Sequence, residues 1–328
     1  KNTVMKKILL AVTAALAITS CSQNEEFEAP SQKAEINFNT AVTRATELNT
    51  NGLQKAGFEI YAYNTGTSGM TADVVLPAEA WISNSAKYTE GTGWSVDGGP
   101  YYWPLTDKLQ FFAYSPKDGA AYTAPNASDK GYPKFVYTVG TTAANQKDLV
   151  IASVQDATKN QNGATSPVSF AFKHALTQVN IEVTKVDGYT YDISKVEVAG
   201  IKGSGTFTYT GANTGTWVAG TDPDATYTYT LGDFTGNTTT IISDNALMLI
   251  PQELTNAKIS ISYTVKKGNS EIAENNKEVA LSGTTTIWDF GKKIRYKLTL
   301  PIGGEKVGIS ADVDPWDSEA TETPTVSE

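Results

Sequence analysis

The stretch Val168–Thr184, which reads VSFAFKHALTQVNIEVT, contains two runs with a period of two residues. In the first run, Val168 to Phe172, large apolar residues alternate with Ser and Ala, and in the second, Gln178 to Thr184, Val and Ile alternate with Asn and Glu. This period is typical of a β-strand that buries one face. We therefore predict a strand in each run and a corner at Lys173 to Leu176 between them.

The same pattern recurs along the chain from residue 34 onward. Short runs rich in Tyr, Thr, Val and Ile are separated by turn-forming clusters such as Asp97-Gly98-Gly99-Pro100, and no long segment has a helical period. Many short strands with turns between them predict an all-β fold of two tandem β-sandwiches. The predicted limits are 1–20 for a signal peptide, 21–33 for an acidic tether, 34–172 and 173–316 for the two domains, and 317–328 for an acidic tail.

The N-terminal residues resemble a bacterial lipoprotein signal. Lys6 and Lys7 supply positive charge, Ile8 to Ala17 is an apolar stretch too short to span a bilayer, and the following residues end at Cys21 like a lipobox. The resemblance implies that Cys21 is acylated and ties a surface-exposed protein to the outer membrane. An ordinary secretory peptide with an incidental cysteine is the alternative. The tether Ser22 to Glu26 resembles a surface-export signal, with a plain solvated linker as its alternative.

The composition argues against several classes of partner. The chain has 26 basic and 35 acidic residues and a net charge of −9, and loss of the three lysines in residues 1–20 leaves 23 basic residues and a charge of −12. Such a surface repels phosphate backbones and anionic headgroups, so we expect no nucleic-acid partner and membrane attachment only through lipid. With Cys21 as its one cysteine, the chain forms no internal disulfide and depends on packed cores.

The sequence contains no motif for catalysis or for a cofactor. Gly-rich phosphate loops, nucleophile elbows and His-based metal motifs are absent from it. His174, the one histidine, lies at the predicted corner, where we expect a hydrogen-bonded structural residue. Asp312, Asp314 and Asp317 lie close together in sequence, and a calcium site there is the alternative to simple solvation. We therefore expect neither enzymatic activity nor a cofactor.

Several segments resemble, in order, those of fimbrillin-like proteins of Bacteroidota. They are Thr43–Thr46 (TRAT), Gly57–Tyr63 (GFEIYAY), Tyr102–Pro104 (YWP) with Leu109–Pro116 (LQFFAYSP), Phe170–Val179 (FAFKHALTQV), Leu247–Gln252 (LMLIPQ) and Trp288–Tyr296 (WDFGKKIRY). The resemblance implies two sandwiches of transthyretin-like Greek-key topology, lipoprotein export, assembly with other pilus subunits into a fimbria, and no enzymatic activity. It does not separate stalk, tip and anchor subunits, and it identifies no adhesion ligand.

Arg44 is the residue that this resemblance marks for processing. In the family an arginine-specific protease cuts at the corresponding position, which implies cleavage between Arg44 and Ala45. The polar stretch Ala45 to Gly52 that follows can be extended and exposed, as a protease requires, whereas Arg295, the only other arginine, lies in a strand pattern. The alternative is a surface arginine without a role, because some relatives are not cut.

Cleavage at Arg44 would remove a predicted strand with one apolar face. The residues of that face are Ile36, Phe38, Thr40 and Val42. Their loss would open a groove with unpaired backbone groups, which favours uptake of a strand from another molecule.

A candidate donor with the same spacing lies near the other end of the chain. Its apolar residues are Val307, Ile309, Ala311 and Val313. Insertion of this run into the groove of the next subunit would give a head-to-tail fibre. The alternative is that the run completes its own C-terminal sheet.

The competing functions are a surface lipoprotein that binds glycans and a tip or anchor subunit that does not polymerise. Five aromatic residues are candidates for a platform under sugar rings: Trp81, Trp94, Tyr101, Tyr102 and Trp103. Since most aromatic residues of such sandwiches lie in the core, we expect the pilus subunit.

Overall fold

The computed structural model describes residues 34–42, 49–125, 130–159, 167–232, 239–243 and 245–316, and over these ranges it is nearly all β. The described part contains one α-helix, α1 (Thr50–Ala56), and two short 3-10 turns at Ala143–Asn145 and Leu281–Gly283. Among the described residues, no helix is long and apolar enough to cross a membrane. The strands are β1 (Phe38–Val42), β2 (Phe58–Asn64), β3 (Ile82–Thr89), β4 (Gly93–Val96), β5 (Leu109–Ser115), β6 (Ala121–Thr123), β7 (Lys134–Thr138), β8 (Val150–Ala157), β9 (Val168–His174), β10 (Thr177–Thr184), β11 (Thr190–Ile201), β12 (Ser204–Gly211), β13 (Thr214–Ala219), β14 (Ala225–Thr228), β15 (Thr239–Ile241), β16 (Leu247–Leu249), β17 (Lys258–Lys267), β18 (Ser270–Ala280), β19 (Lys292–Thr299) and β20 (Gly308–Pro315). The predicted all-β class is confirmed.

A seven-stranded sheet is formed by the first half of the chain in the order β1-β9-β8-β5-β2-β3-β4. Its pairs are antiparallel except for β1 and β9, which run parallel. β5 is buried along its whole length because it lies at the centre of this sheet. One face of the sheet packs around Phe58 and Phe111, and Trp94 of β4 donates its indole N–H to Thr40 Oγ1 of β1 at 3.0 Å. The sheet therefore curls until its two edge strands meet.

Three smaller sheets complete the described fold. Their orders are β15-β10-β19-β20 with β16 also on β10, β14-β11-β17-β18, and β13-β12-β7-β6. The last sheet combines strands from both sides of residue 172, because β7 pairs with β12 and places Phe135 opposite Phe207. The larger hydrophobic core likewise joins residues of both halves, such as Phe112 and Val179. The division into domains at residues 172 and 173 stays a prediction.

The corner between the two halves is shorter than the sequence predicts. β9 continues to His174 and β10 begins at Thr177, so Ala175 and Leu176 alone separate the two strands. Both are fully buried, and the Ala175 N–H donates to the Leu149 carbonyl at 2.8 Å. The corner is thus a packed part of the core.

Helix α1 begins inside the polar stretch for which an extended loop is predicted. Asn49 caps it, since its side-chain oxygen accepts from the Gly52 N–H at 2.9 Å, and Leu53 is its buried residue. Gly57 ends the helix at φ +67°, where a Cβ would lie 2.6 Å from the Ala86 carbonyl oxygen. The helix is short because it has a single apolar residue to bury.

Candidate functional site

The inward face of β1 and of the residues just before it carries the side chains predicted for the removable strand. Ile36 and Val42 are 4% and 8% exposed, whereas Phe38 and Thr40 are half-buried. The residues between them are exposed, so burial follows the predicted alternation. Phe38 stacks on Phe170 with ring centroids 6.0 Å apart, within the core of the seven-stranded sheet.

The backbone of this segment pairs on two different sides. The Ile36 N–H donates to the Tyr101 carbonyl at 2.8 Å, so the chain before β1 pairs with residues 101–103. β1 itself pairs in parallel with β9 from Phe38 opposite Val168 to Val42 opposite Phe172. Between β1 and β4 lies a groove of about 380 Å³ whose lining includes Phe38 and residues 94–96. In the described residues, β1 is therefore an edge strand with backbone groups along this groove.

β9 depends on β1 for most of its pairing. The described ladder between β8 and β9 consists of two residue pairs, at Lys173 and His174, whereas β1 pairs with all residues from Val168 to Phe172. Loss of β1 would remove the strand with which these five residues form their ladder.

β20 contains the candidate donor residues and lies at the edge of its own sheet. It pairs antiparallel with β19 over eight residue pairs, from Thr299 opposite Gly308 to Lys292 opposite Pro315. The structure thus places the C-terminal run in its own sheet, the arrangement given above as the alternative. Val307 lies just before the strand and is half-buried.

The apolar face of β20 is less covered than that of β1. Ile309 and Ala311 are half-buried, and Val313 is 51% exposed although it lies opposite the buried Ile294. On the other face, the Asp312 carboxylate pairs with the Lys297 ammonium at 2.6 Å, and this hydrogen bond raises the pKa of Lys297. Apolar contact and this exposed ion pair together hold β20 on β19.

His174 has the structural surroundings that its position predicts. Its Nδ1 lies 2.9 Å from Asp148 Oδ2, with both side chains buried, and its ring stacks on Trp316 at 4.4 Å between centroids and 2° between planes. Asp148 and Trp316 are far from His174 in sequence, so the sequence does not predict these contacts. The signal that it does contain is the position of Trp316, a large apolar residue directly before the acidic tail.

The five aromatic candidates do not form one exposed platform. Trp103 is 4% exposed and packs edge-on against Phe111 at 5.9 Å. Trp81, Trp94 and Tyr101 are half-buried against the same core, and Tyr102 is 38% exposed. At least one member of the set therefore presents no ring face to a sugar.

Other predicted site residues are separate from these strands or fall outside the described part. Cys21, Arg44, Ala45 and Asp317 lie outside the described residues. Asp312 and Asp314 are exposed on β20, and within the described ranges no group of three or more His, Cys, Asp or Glu side chains could hold a metal ion.

The comparisons with known proteins agree in matching this chain to fimbrial proteins. Residues 43–316 match the model of a family described as fimbrillin-like. The fimbrium subunit Fim1C of Phocaeicola vulgatus is 31% identical, with 96% of this chain and 97% of that protein aligned. The fold is similar to that of a fimbrial protein from Bacteroides vulgatus, with a TM-score of 0.61, 21% identity, and coverage of 86% of this chain and 99% of the other.

Proposed function

The chain belongs to the fimbrillin-like family, and from this premise we propose that it is a pilus subunit that polymerises by strand exchange after cleavage at Arg44. In this proposal Cys21 is acylated and delivers the subunit to the outer surface of the outer membrane. An arginine-specific protease then cuts between Arg44 and Ala45, which removes the lipid and β1 together. The processed subunit joins a fimbria.

The observation that carries the proposal is the edge position of β1. Val42 in β1 and Ile36 just before it are buried. β1 pairs with the single strand β9 and the preceding residues 34–36 pair with residues 101–103, so the chain that precedes residue 43 forms a removable part of the core. Once it has left, the apolar groove is uncovered and Val168 to Phe172 of β9 have lost the strand they pair with, so a strand of matching spacing is favoured there.

β20 supports the proposal as the donor. It is also an edge strand, its apolar residues are two apart like those of β1, and its apolar face is only half covered in its own sheet. Since the donor and the groove are different surfaces of the subunit, the contact is head-to-tail and need not close.

The first experiment treats the purified full chain with an arginine-specific protease. We expect a new N-terminus at Ala45 and a ladder of oligomers on a gel run without heating. Arg44→Gln should stay intact and monomeric, and the matched control Arg295→Gln should be cut and should assemble like the wild type. An intact monomer under all conditions would instead indicate a tip or anchor subunit.

A second pair of variants tests the donor strand. Ala311→Asp places a charge on the apolar face of β20, whereas Ser310→Asp places it on the exposed face of the same strand. After cleavage, we expect Ala311→Asp to remain monomeric and Ser310→Asp to polymerise, with circular dichroism as the check that both are folded. Equal assembly of the two would exclude β20 as the donor.

A further inference from the structure

The end of β20 is buried although the strand leading to it is exposed. Asp314 and Pro315 are exposed, and the next residue, Trp316, is 1% exposed. Its backbone N–H donates to the Gly291 carbonyl at 2.8 Å, and its indole lies flat on the His174 ring. A large aromatic residue therefore fixes the far end of the strand in the interior.

The ring on which Trp316 stacks belongs to β9, the strand that pairs with β1. His174 is the last residue of β9, two positions beyond Phe172, which is opposite Val42. Asp148 orients the His174 ring through contacts of 2.9 and 3.0 Å to Nδ1. Direct contacts thus connect β1 to β9, β9 to Trp316, and Trp316 to the end of β20.

The buried position of Trp316 leaves one polar group without a hydrogen bond. Within the described residues, the indole N–H of Trp316 is buried without an acceptor, which disfavours this position relative to a solvated one. Stacking and burial hold the ring, and they require that the His174 ring stays in place. An element held in this way is sensitive to small shifts of its support.

We propose that Trp316 is a latch that keeps β20 in its own sheet and that departure of β1 weakens this latch through β9 and His174. The proposal rests on the proposed function, because it regulates release of the donor strand by processing of the N-terminal strand. Without β1, the ladder of Val168 to Phe172 with that strand is lost while the pairs of Lys173 and His174 with β8 stay, so the backbone that carries the His174 ring is held by fewer pairs. An uncut subunit therefore keeps its donor strand in place, and a cut subunit releases it.

The test measures hydrogen exchange of the backbone amides of β20 in the uncut full chain. Trp316→Ala should raise the exchange rate of residues 308–314 by about tenfold or more, whereas Trp316→Phe, which keeps a stacking ring, should stay within about threefold of the wild type. If the alanine variant does not fold, Trp316→Leu keeps apolar bulk without the stack and should show the same increase. Wild-type exchange in a folded alanine or leucine variant would overturn the latch.

The coupling is tested by a double-mutant cycle without any protease. Phe38→Ala loosens β1 and should speed exchange of β20 by about threefold or more, and it should add nothing in the Trp316→Ala background. Ile82→Ala, a core truncation on β3 in the same sheet, is the matched control and should leave exchange of β20 unchanged. Independent, multiplicative effects of Phe38→Ala and Trp316→Ala, or an equal effect of the control, would overturn the coupling.

These outcomes are separate from those of the proposed function. Exchange is measured on uncut monomers, so it does not depend on cleavage or assembly. Coupled exchange without cleavage or polymer would support the latch and refute the proposed polymerisation. Normal polymerisation with multiplicative effects on exchange would support the proposed function and refute the latch.

Discussion

Cleavage after Arg44 should lower the stability of the remaining chain by the amount that β1 contributes, and peptides should restore it. Ile36 and Val42 are 4% and 8% exposed, and burial of each contributes about 2 kcal/mol. The half-buried Phe38, stacked on Phe170, adds about 1 kcal/mol. The apolar contribution is then about 5 kcal/mol, from which the ordering of the strand subtracts. At about 2–4 °C per kcal/mol for a chain of this size, Tm should fall by about 10–20 °C at most.

The assay is thermal unfolding of the cut protein, diluted until it is monomeric. A peptide with the sequence of residues 34–42 and a peptide with the sequence of residues 306–314 should each raise Tm, because each offers apolar side chains two apart. At 100 times its Kd, either peptide stabilises the cut chain by about 2.7 kcal/mol, which corresponds to about 5–10 °C.

The control is the C-terminal peptide with Ile309→Asp, which should leave Tm unchanged. Rescue by the N-terminal peptide alone would show that the groove exists but rejects the run of residues 306–314. An unchanged Tm after cleavage would refute the estimate of what β1 contributes.

Three further predictions concern individual side-chain contacts of the described fold. Trp94→Phe removes the hydrogen bond to Thr40 and should lower the free energy of unfolding by about 1 kcal/mol in urea titrations, with faster proteolysis after β1. Asn213, at φ +52°, accepts from the buried Ser153 N–H, so Asn213→Gly should cost about 1–3 kcal/mol and Asn213→Ala about 1 kcal/mol more; the reverse order would contradict the assignment. Burial raises the pKa of Tyr263 to about 12. The native ring keeps its proton where the unfolded chain loses it, so stability should fall between pH 10 and 12, and Tyr263→Phe should lessen that fall by about 1.4 kcal/mol per pH unit.

The strands that the sequence predicts are those with a buried apolar face or a continuous apolar run. β5 (Leu109–Ser115) contains such a run, and every one of its side chains is buried. β18 (Ser270–Ala280) is an exposed edge rich in Glu and Asn, so its residues show no apolar alternation that would predict a strand. β3 lacks the alternation for a related reason, since its buried residues are separated by Asn and Ser. Burial against a neighbour, not propensity, makes these segments strands.

Pairing partners were less predictable than strands. A period of two fixes which face is buried, but it does not identify the neighbour across the backbone. Nothing local to β7 indicates that it pairs with β12, about 70 residues later, and that pairing joins the two predicted domains in one sheet. The contact between His174 and Trp316 is of the same kind, because a corner and a strand end that are distant in sequence meet only after both sheets have formed.

The edge strands of the described fold differ in how their sequences suit an exposed edge. β18 carries Glu271, Glu274 and Lys277 along an edge that lacks a further strand, and such charges oppose pairing with another chain. β1 and β20 instead carry apolar residues along one face, with Thr40 as the one polar member in β1, although part of each face is uncovered. In a subunit that stays monomeric this pattern is a liability, since it invites association. In a subunit that exchanges one strand for the other, the same pattern is required of both, because the strand that leaves and the strand that arrives must fill one groove.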